Sequence, residues 1–336
     1  MTASTVIPDK ELFKKALKKY YEEEFKPDRL LQVISRENFH NREFGYQDID
    51  KHFNRNISFE SVEELVSFLI EKTPTAFYAG AVYSDRPSKD MPIHKLTWQK
   101  REFVFDIDLD MYDTARTCGC KGADQLCEIC WEHVKTASYF IDDTLRRDFG
   151  IKNQDIQWVF SGRRGVHAWV KDPKFSYFNQ DVRSAIIEYM SLIKGDKIIL
   201  PPRKDEMPLF KKRVDELVIK RFFKIVTRED LVSIGLSENK ARRIYADREA
   251  TGVTDFIIKN HVFTSRNTIA ENERIMENIL KLHYPRIDHK VSIDLRRLLR
   301  APSSVHGETG NIVTFLTLQE LASFNPLKDA TNIMNL

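Results

Sequence analysis

Residues 101–110, which read REFVFDIDLD, constrain the fold of this chain more than any other segment. Their alternation predicts a β-strand with three apolar side chains on one face, those of Phe103, Phe105 and Ile107. The opposite face then carries Val104 and two carboxylates, Asp106 and Asp108. Two like charges one strand pitch apart beside apolar residues repel each other and resist desolvation. A hard divalent cation such as magnesium or manganese would offset both costs; a strand end whose acids reach solvent is the plainer alternative.

All four cysteines of the chain lie within a short segment, at Cys118, Cys120, Cys127 and Cys130. In a reducing compartment such a cluster is more typical of metal binding than of disulfides. Four thiolates suit tetrahedral zinc, and a site with no open coordination position is expected to be structural. It would fix the loop that follows the acidic strand. Two disulfides or free thiols are the alternative interpretation, because Cys-x-Cys is a less usual first pair.

The composition is that of an ordinary soluble protein, with 31% of the 336 residues charged but a net charge of only +3. A chain of this length is expected to form one large or two modest domains. Bulk charge does not mark a nucleic-acid-binding protein, so any basic surface has to be local. The sequence lacks a run of about 18 apolar residues, which argues against a membrane span. Residues 1–9 lack the apolar core of a signal peptide, which predicts an intracellular protein.

Strand and helix patterns alternate up to about residue 195, which predicts an α/β fold. Strands are expected at residues 42–46, 57–59, 76–83, 157–160 and 166–170. Helices are expected after an Asp9 cap and at residues 61–72, 131–145 and 182–194. The pattern then becomes helical and more charged before it returns to short β-like runs at residues 285–315. Residues 1–200 and 284–336 are therefore predicted to form one domain, with residues 201–283 as an inserted helical subdomain.

A turn between two predicted strands, residues 161–167, gathers groups that suit phosphate. Its sequence, SGRRGVH, holds two glycines that permit close backbone approach and two arginines whose guanidinium groups match phosphate oxygens. His167 faces away from its apolar neighbours and can donate to a phosphate. The turn is not a Walker A loop, because it lacks the Gly-Lys-Ser/Thr ending. A basic hairpin exposed to solvent is the alternative.

A third group of polar residues follows the helical region. Asp288 lies on a probable strand, and lone acids of this kind are usually surface residues. Residues 300–307, which read RAPSSVHG, gather a cation, two hydroxyls and the imidazole of His306 around a proline turn. That combination is unusual for a surface loop.

In their order along the chain, these motifs resemble the small catalytic subunit of eukaryotic-type DNA primase, in the archaeo-eukaryotic primase superfamily. The resemblance rests on FDID at residues 105–108, the cysteine cluster, WVFSGRRGVHAW at 158–169, and PRID at 285–288 through SSVH at 303–306. It covers residues 36–195 and 284–316. It implies a prim fold of mixed β-sheets flanked by helices, with a zinc-binding loop at 118–130 inside the catalytic domain and an inserted helical subdomain.

The resemblance also implies roles for single residues. Asp106, Asp108 and Asp288 would hold two catalytic magnesium or manganese ions, and Glu43 would join them as a catalytic residue. The nucleotide-binding residues would be Ser161, Arg163, Arg164, His167, Arg300, His306 and Arg55. The cysteines at 118, 120, 127 and 130 would hold one structural zinc ion.

The implied activity is template-directed synthesis of short RNA primers on single-stranded DNA from ribonucleoside triphosphates, by two-metal nucleotidyl transfer with release of pyrophosphate. The implied partners are a large regulatory primase subunit that carries an iron–sulfur cluster and the DNA polymerase alpha complex, in the nucleus and without a membrane. Two other functions stay open. One is a metal-dependent phosphatase or nuclease built on the same acids, and the other is a zinc-stabilised scaffold that binds nucleic acid without catalysis.

Overall fold

The computed structural model describes residues 9–122, 125–195, 197–201, 206–252 and 257–336. By its internal contacts the chain divides into two compact units. Unit 1 comprises Met1–Asp108, Ile151–Ile187 and Asp288–Leu336, and unit 2 comprises Leu109–Gly150 and Glu188–Ile287. This grouping puts the cysteine segment with the helices of unit 2, whereas the sequence placed it inside the catalytic domain. The predicted domain assignment stays a prediction.

Two antiparallel sheets form the framework of unit 1. The strands of the first are β1 (Arg42–Gln47), β2 (Phe53–Ile57), β3 (Ala76–Tyr83), β4 (Trp98–Lys100) and β10 (Leu299–Arg300). Their order is β10–β3–β1–β2, and β4 also pairs with β3. The strands of the second are β5 (Phe103–Asp108), β6 (Ile156–Phe160), β7 (Gly165–Val170) and β11 (Phe315–Leu316). Their order is β11–β6–β7–β5.

Eight helices lie wholly or partly in the described part of unit 1. They are α1 (Lys10–Lys19), α2 (Pro27–Leu31), α3 (Val62–Lys72), α5 (Pro173–Ser176), α6 (Gln180–Met190), α12 (His289–Ile293), α13 (Leu318–Ser323) and α14 (Pro326–Asp329). Two of them begin at caps visible in the sequence, because Asp9 accepts from the Glu11 amide and Ser61 accepts from the Glu64 amide. A π-helical turn, Tyr20–Glu24, continues α1.

The core of unit 1 is rich in aromatic side chains. Phe44 of β1 stacks on Phe77 of β3 with the ring centroids 5.4 Å apart. The same core takes in Val104 of β5 and Trp169 of β7, so both sheets contribute to it. Such burial of apolar surface is the main source of stability for the framework that carries the candidate site.

Unit 2 is mainly helical. Its elements are α4 (Glu128–Arg147), α7 (Pro208–Arg213), α8 (Lys220–Ile225), α9 (Arg228–Ser233), α10 (Glu238–Thr251), α11 (Ile269–His283) and a small hairpin of β8 (Ile193–Lys194) and β9 (Lys197–Ile198). Arg213 joins α7 to the end of α4, since its guanidinium lies 2.8 Å from carboxylate oxygens of Asp143 and Asp148. No helix in the described part of the chain combines the length and apolar character that a membrane crossing requires.

The fold confirms the predicted α/β mixture of sheets with flanking helices, but the sheets were expected to be mixed and every strand pairing of the described residues is antiparallel. Two predicted elements were misplaced. The strand expected at residues 57–59 ends at Ile57, because the register of β1 pairs Phe44 with Ile57 and Gln47 with Phe53. The helix expected at residues 182–194 ends at Met190, because the next residues turn into the hairpin of β8 and β9.

Gly165 begins β7 so close to β5 that a side chain has no room. A Cβ atom there would lie 2.4 Å from the carbonyl oxygen of Ile107, a backbone atom in a fully buried position. We expect Gly165→Ala to lower the free energy of unfolding in urea by more than about 3 kcal/mol, the upper range for overpacking. Gly150→Ala is the control, because Gly150 has a φ of +70° but open space around it, and left-handed strain alone costs about 1–2 kcal/mol. Equal losses in the two variants would contradict the close approach of β5 and β7.

Candidate functional site

The pairing of β5 with β7 determines which residue of β7 lies opposite each acid. Asp106 is paired with His167 and Asp108 with Gly165 across the two strands. The side chains of Asp106 and Asp108 keep 16% and 35% of their surface exposed. The other face of β5 buries the three predicted apolar side chains, those of Phe103, Phe105 and Ile107. The predicted assignment of residues to the two faces is therefore confirmed.

Each acid has a nitrogen group from β7 or its preceding turn close by. The Nε atom of Arg164 lies 2.7 Å from Oδ1 of Asp108. The Nε2 atom of His167 lies 3.5 Å from Oδ1 of Asp106. Arg163 takes a different partner and forms an ion pair with Glu308. The two arginines of the turn are thus directed to two different acids.

The turn that carries these arginines is held by a distant loop. Gly162 has a φ of +92°, and a Cβ atom there would lie 2.6 Å from Cβ of His306. Its carbonyl oxygen accepts hydrogen bonds from Thr309 Oγ1 at 2.8 Å and Asn311 Nδ2 at 3.0 Å. Both the conformation and the close approach require glycine at this position.

These groups surround one cavity of about 240 Å³ within unit 1. The predicted site residues that line it are Asp106, Asp108, Ser161, Arg163, Arg164, His167, Arg300 and His306. The structure therefore brings together the acidic strand, the arginine turn and the loop at residues 300–307, which are far apart in sequence.

Arg300 belongs to β10 of the first sheet, and its side chain reaches the turn. Its Nη1 donates to the carbonyl oxygen of Ser161 at 3.3 Å, and its guanidinium lies 5.7 Å from the centroid of the Tyr78 ring. This cation–π contact and the hydrogen bond fix the guanidinium at the wall of the cavity. The cavity therefore presents three guanidinium groups to any ligand inside it, those of Arg163, Arg164 and Arg300.

Two buried imidazoles face the same cavity. Burial and the nearby Arg300 guanidinium lower the pKa of His167 to about 3. Burial, followed by Arg300 and Arg163, lowers the pKa of His306 to about 2. Both rings are therefore neutral at pH 7 and can each donate from one nitrogen. The Nδ1 atom of His167 is buried with no hydrogen-bond partner among the described residues.

Asp288 does lie beside the acidic strand, but at a helix start. Its amide donates to the carbonyl oxygen of Asp106 at 2.9 Å. Its carboxylate caps α12, with Oδ1 accepting from the amides of Lys290 at 2.8 Å and Val291 at 3.2 Å. The expectation of a strand at Asp288 was wrong, because the N-cap interaction starts a helix at His289 instead.

Glu43 and Arg55 bind each other instead of opening onto the cavity. Arg55 Nε and Nη2 lie 2.8 and 2.9 Å from the two carboxylate oxygens of Glu43, whose side chain is fully buried. Neither residue is part of the cavity lining. Arg55 also donates to the carbonyl oxygen of Arg296 at 3.1 Å, so the pair supports the segment that leads to Arg300. Their predicted roles in catalysis and nucleotide binding stay predictions.

The acids of this site fit a divalent cation by their chemistry. Asp106 and Asp108 offer hard carboxylate oxygens on the same face of one strand, and such oxygens are the preferred ligands of magnesium and manganese. The two bonds that Asp288 accepts among the described residues both use Oδ1, which leaves Oδ2 for a cation. Asp106 and Asp108 line the cavity and would hold the predicted ions, whereas Asp288 is not part of the cavity lining and its role as a third ligand stays a prediction.

The four cysteines of unit 2 form a second candidate metal site. One sulfur from each lies within 4.8 Å of the others, and Sγ of Cys127 and Cys130 are 3.7 Å apart. A tetrahedron with zinc–sulfur bonds of about 2.3 Å has edges of about 3.8 Å, so the spacing fits tetrahedral zinc. Arg116 holds the surrounding loop, because it donates to the carbonyl oxygens of Gly122 at 3.3 Å and Gln125 at 3.0 Å.

Several residues of the cavity were missed by the sequence. Tyr78, Arg297 and Leu298 line it, and Glu308 pairs with Arg163. Tyr78 sits inside an apolar strand, and nothing in its local pattern marks it as facing a ligand. Arg297 and Glu308 flank the loop at residues 300–307, so a search for charges around that loop would have assigned them to the site.

The fold and this cavity define a mixed α/β protein whose site combines clustered acids with arginines suited to a phosphate-bearing ligand. The family model for the DNA primase small subunit matches residues 105–318. The chain belongs to the DNA primase small subunit family.

Relatives from eukaryotes and archaea are similar to this chain to comparable degrees. The DNA primase small subunit of Schizosaccharomyces pombe is 29% identical over 320 residues, which cover 87% of this chain and 69% of that protein. The Drosophila melanogaster protein of the same name is 30% identical, over 86% and 72%. The DNA primase small subunit PriS of Methanocaldococcus jannaschii is 32% identical, over 86% and 75%.

The neutral histidines predict a loss of stability in acid. The pKa of His306 is about 2 in the folded protein, and the ordinary value in the unfolded chain is about 6.5. The unfolded state therefore binds the proton first, and stability falls as the pH drops below about 6.5. We expect His306→Gln to shrink the difference in unfolding free energy between pH 7 and pH 5 by about 2 kcal/mol. Urea denaturation at both values measures it, with exposed His94→Gln as the control; an unchanged difference in His306→Gln would contradict a buried neutral ring.

The cysteine cluster predicts one zinc ion per chain in the native protein. Because structural zinc contributes folding free energy, we expect a strong chelator to lower the melting temperature. Elemental analysis measures the stoichiometry, and thermal unfolding with and without chelator measures the effect. Cys130→Ser should lower both the zinc content and the melting temperature. Native protein without stoichiometric zinc would show that the cluster is not a zinc site.

Proposed function

We propose that this chain is the catalytic subunit of a DNA primase, which synthesises short RNA primers on single-stranded DNA from ribonucleoside triphosphates and releases pyrophosphate. One observation carries the proposal: paired acids, three arginines and two neutral histidines surround one cavity in a chain of the primase small subunit family. Phosphoryl transfer needs mainly in-line positioning and neutralisation of negative charge, and this set of side chains supplies both.

The acids would hold the catalytic cations. Asp106, Asp108 and Asp288 are the ligands in this proposal, and two magnesium or manganese ions bound there would neutralise the charge that develops at the reacting phosphate. The hydrogen bond from the Asp288 amide to the Asp106 carbonyl oxygen supports the proposal that Asp288 is the third ligand.

The triphosphate would bind along the part of the cavity formed by the arginine turn and the loop at residues 300–307. Arg163, Arg164 and Arg300 can each meet a phosphate oxygen with a guanidinium fork, while Ser161, His167 and His306 donate single hydrogen bonds. The orphaned Nδ1 of His167 supports this assignment, since a buried nitrogen without a partner gains one when the ligand binds. The Glu43–Arg55 pair would act indirectly, by holding the backbone near Arg296.

The proposal extends to the partners. The four cysteines at 118–130 are occupied by zinc in this scheme, so an iron–sulfur cluster would have to reside on another chain, the large regulatory subunit. Association with that subunit and with the DNA polymerase alpha complex, and a nuclear location, are part of the proposal and rest on the resemblance to the eukaryotic-type primase.

Substitution of the paired acids tests the proposal. We expect Asp106→Ala and Asp108→Ala each to reduce ribonucleotide incorporation on a single-stranded DNA template by at least roughly 100-fold, as for loss of a central electrostatic group. Asp181→Ala is the matched control, because Asp181 is an exposed acid on α6 away from the cavity lining.

Product analysis separates the alternatives in the same assay. Chain growth with release of pyrophosphate supports the primase. Release of inorganic phosphate, or shortening of the template, would point to a phosphatase or nuclease. Template binding without turnover in the unsubstituted protein would point to a scaffold that binds nucleic acid.

A further inference from the structure

Hydrogen bonds join the start of helix α12 to β5, the strand that carries the paired acids, and its end to a residue just before that strand. The helix has only five residues. At its start, the Asp288 amide donates to the Asp106 carbonyl oxygen at 2.9 Å. At its end, Nη1 of Arg101 donates to the carbonyl oxygens of Val291 at 3.1 Å and Asp294 at 3.3 Å. Arg101 lies two residues before β5. The strand and the residues just before it therefore hold both ends of the helix.

Arg101 is buried, and among the described residues its side chain forms no ion pair with a carboxylate. Its residue exposure is 2%, and the neighbouring Glu102 is engaged by Arg42 in two bonds of 2.7 and 2.8 Å. Burial lowers the pKa of Arg101 to about 10, although nearby acids oppose that shift. A guanidinium buried against carbonyl oxygens alone is a costly arrangement for a merely structural position. Carbonyl oxygens at a helix C-terminus are, however, the backbone groups that a cation satisfies best.

The surroundings of Arg101 leave it little freedom to move. Its amide donates to the carbonyl oxygen of Ser176 at 3.0 Å, and its own carbonyl oxygen accepts from Arg183 Nη2 at 2.5 Å. Arg183 is fully buried and lies 4.9 Å from the centroid of the Phe103 ring. The framework therefore fixes the backbone of Arg101, and the guanidinium that extends from it contacts the end of α12.

We propose that Arg101 is a positioning residue, which holds α12 in place so that Asp288 stays beside Asp106 and completes the divalent-cation site. This inference rests on the proposed function, since it assigns a cation to Asp106 and Asp288. One terminal nitrogen, Nη1, donates to both carbonyl oxygens, and the planar guanidinium holds that nitrogen in a fixed place, whereas a lysine ammonium sits on a flexible stem.

Binding of manganese alone, without nucleotide or template, is the first readout. Supporting groups behind metal ligands typically change metal affinity about 10- to 100-fold. We expect Arg101→Met to weaken manganese binding, measured by electron paramagnetic resonance, by about 10-fold, and Arg101→Lys to weaken it less. In the double variant with Asp288→Asn, affinity should match that of Asp288→Asn alone, because both changes remove the same contribution.

Hydrogen–deuterium exchange gives a second readout that needs no metal. The amides of residues 288–293 should exchange faster in Arg101→Met and Arg101→Lys than in the unsubstituted protein, while the rest of β5 stays protected. The control is Arg213→Met, which removes another buried guanidinium, 3% exposed, in unit 2. That control should lower the melting temperature yet leave manganese affinity and the exchange of residues 288–293 unchanged.

The outcomes separate this inference from the proposed function. Unchanged manganese affinity and unchanged exchange at 288–293 in Arg101→Lys would overturn the positioning role, whether or not the protein makes RNA. Additive losses in the double variant would also overturn it. Weakened manganese binding in a protein that fails to synthesise RNA would support the positioning role and reject the primase. If Arg101→Met does not fold, Arg101→Lys carries both measurements.

Discussion

Repulsion between Asp106 and Asp108 is the constraint on which the rest of the site depends. The pairing of β5 with β7 reduces this repulsion. It sets His167 opposite Asp106 and brings Arg164 to within 2.7 Å of Asp108. Because side chains alternate along a strand, a slip of one residue would turn both acids into the apolar layer behind them. The close contact of Gly165 with the Ile107 carbonyl fixes that register. The electrostatics of the cavity therefore follow from the packing of one strand pair.

The second wall of the cavity comes from a loop far along the chain, and it is fastened by backbone groups. Ser304 Oγ accepts from the Phe77 amide at 2.8 Å, and the Ala301 amide donates to the Phe77 carbonyl oxygen at 2.9 Å. The loop meets the arginine turn at Gly162, whose lack of a side chain makes room for His306. Arg300 and His306 are thus placed by contacts with β3 and with the turn, and not by their own short segment.

The sequence was informative wherever the signal was local. Alternation in residues 103–108, the helical pattern at residues 61–72 and the glycines of the turn predicted β5, α3 and the phosphate-suited turn, and all three are present. It failed where a tertiary contact decided the outcome. The helix start at Asp288 depends on side-chain capping that a β-like pattern hides, and Tyr78 faces the cavity only because β10 pairs with β3 at Arg300. The pairing of Glu43 with Arg55 likewise depends on the register of β1 with β2, which no local pattern gives.

Two arginines that line the cavity contact carboxylates, and this bears on how the cavity would act as a primase site. Arg164 contacts Asp108 through one nitrogen, with Nε 2.7 Å from Oδ1. A cation on Asp108 would replace that positive charge and release Arg164 toward the phosphates. His167 and His306, neutral at pH 7, add hydrogen-bond donors without adding a charge that would compete for the acids. In the proposed mechanism, the residues that contact the acids would therefore also couple binding of the cation to binding of the triphosphate.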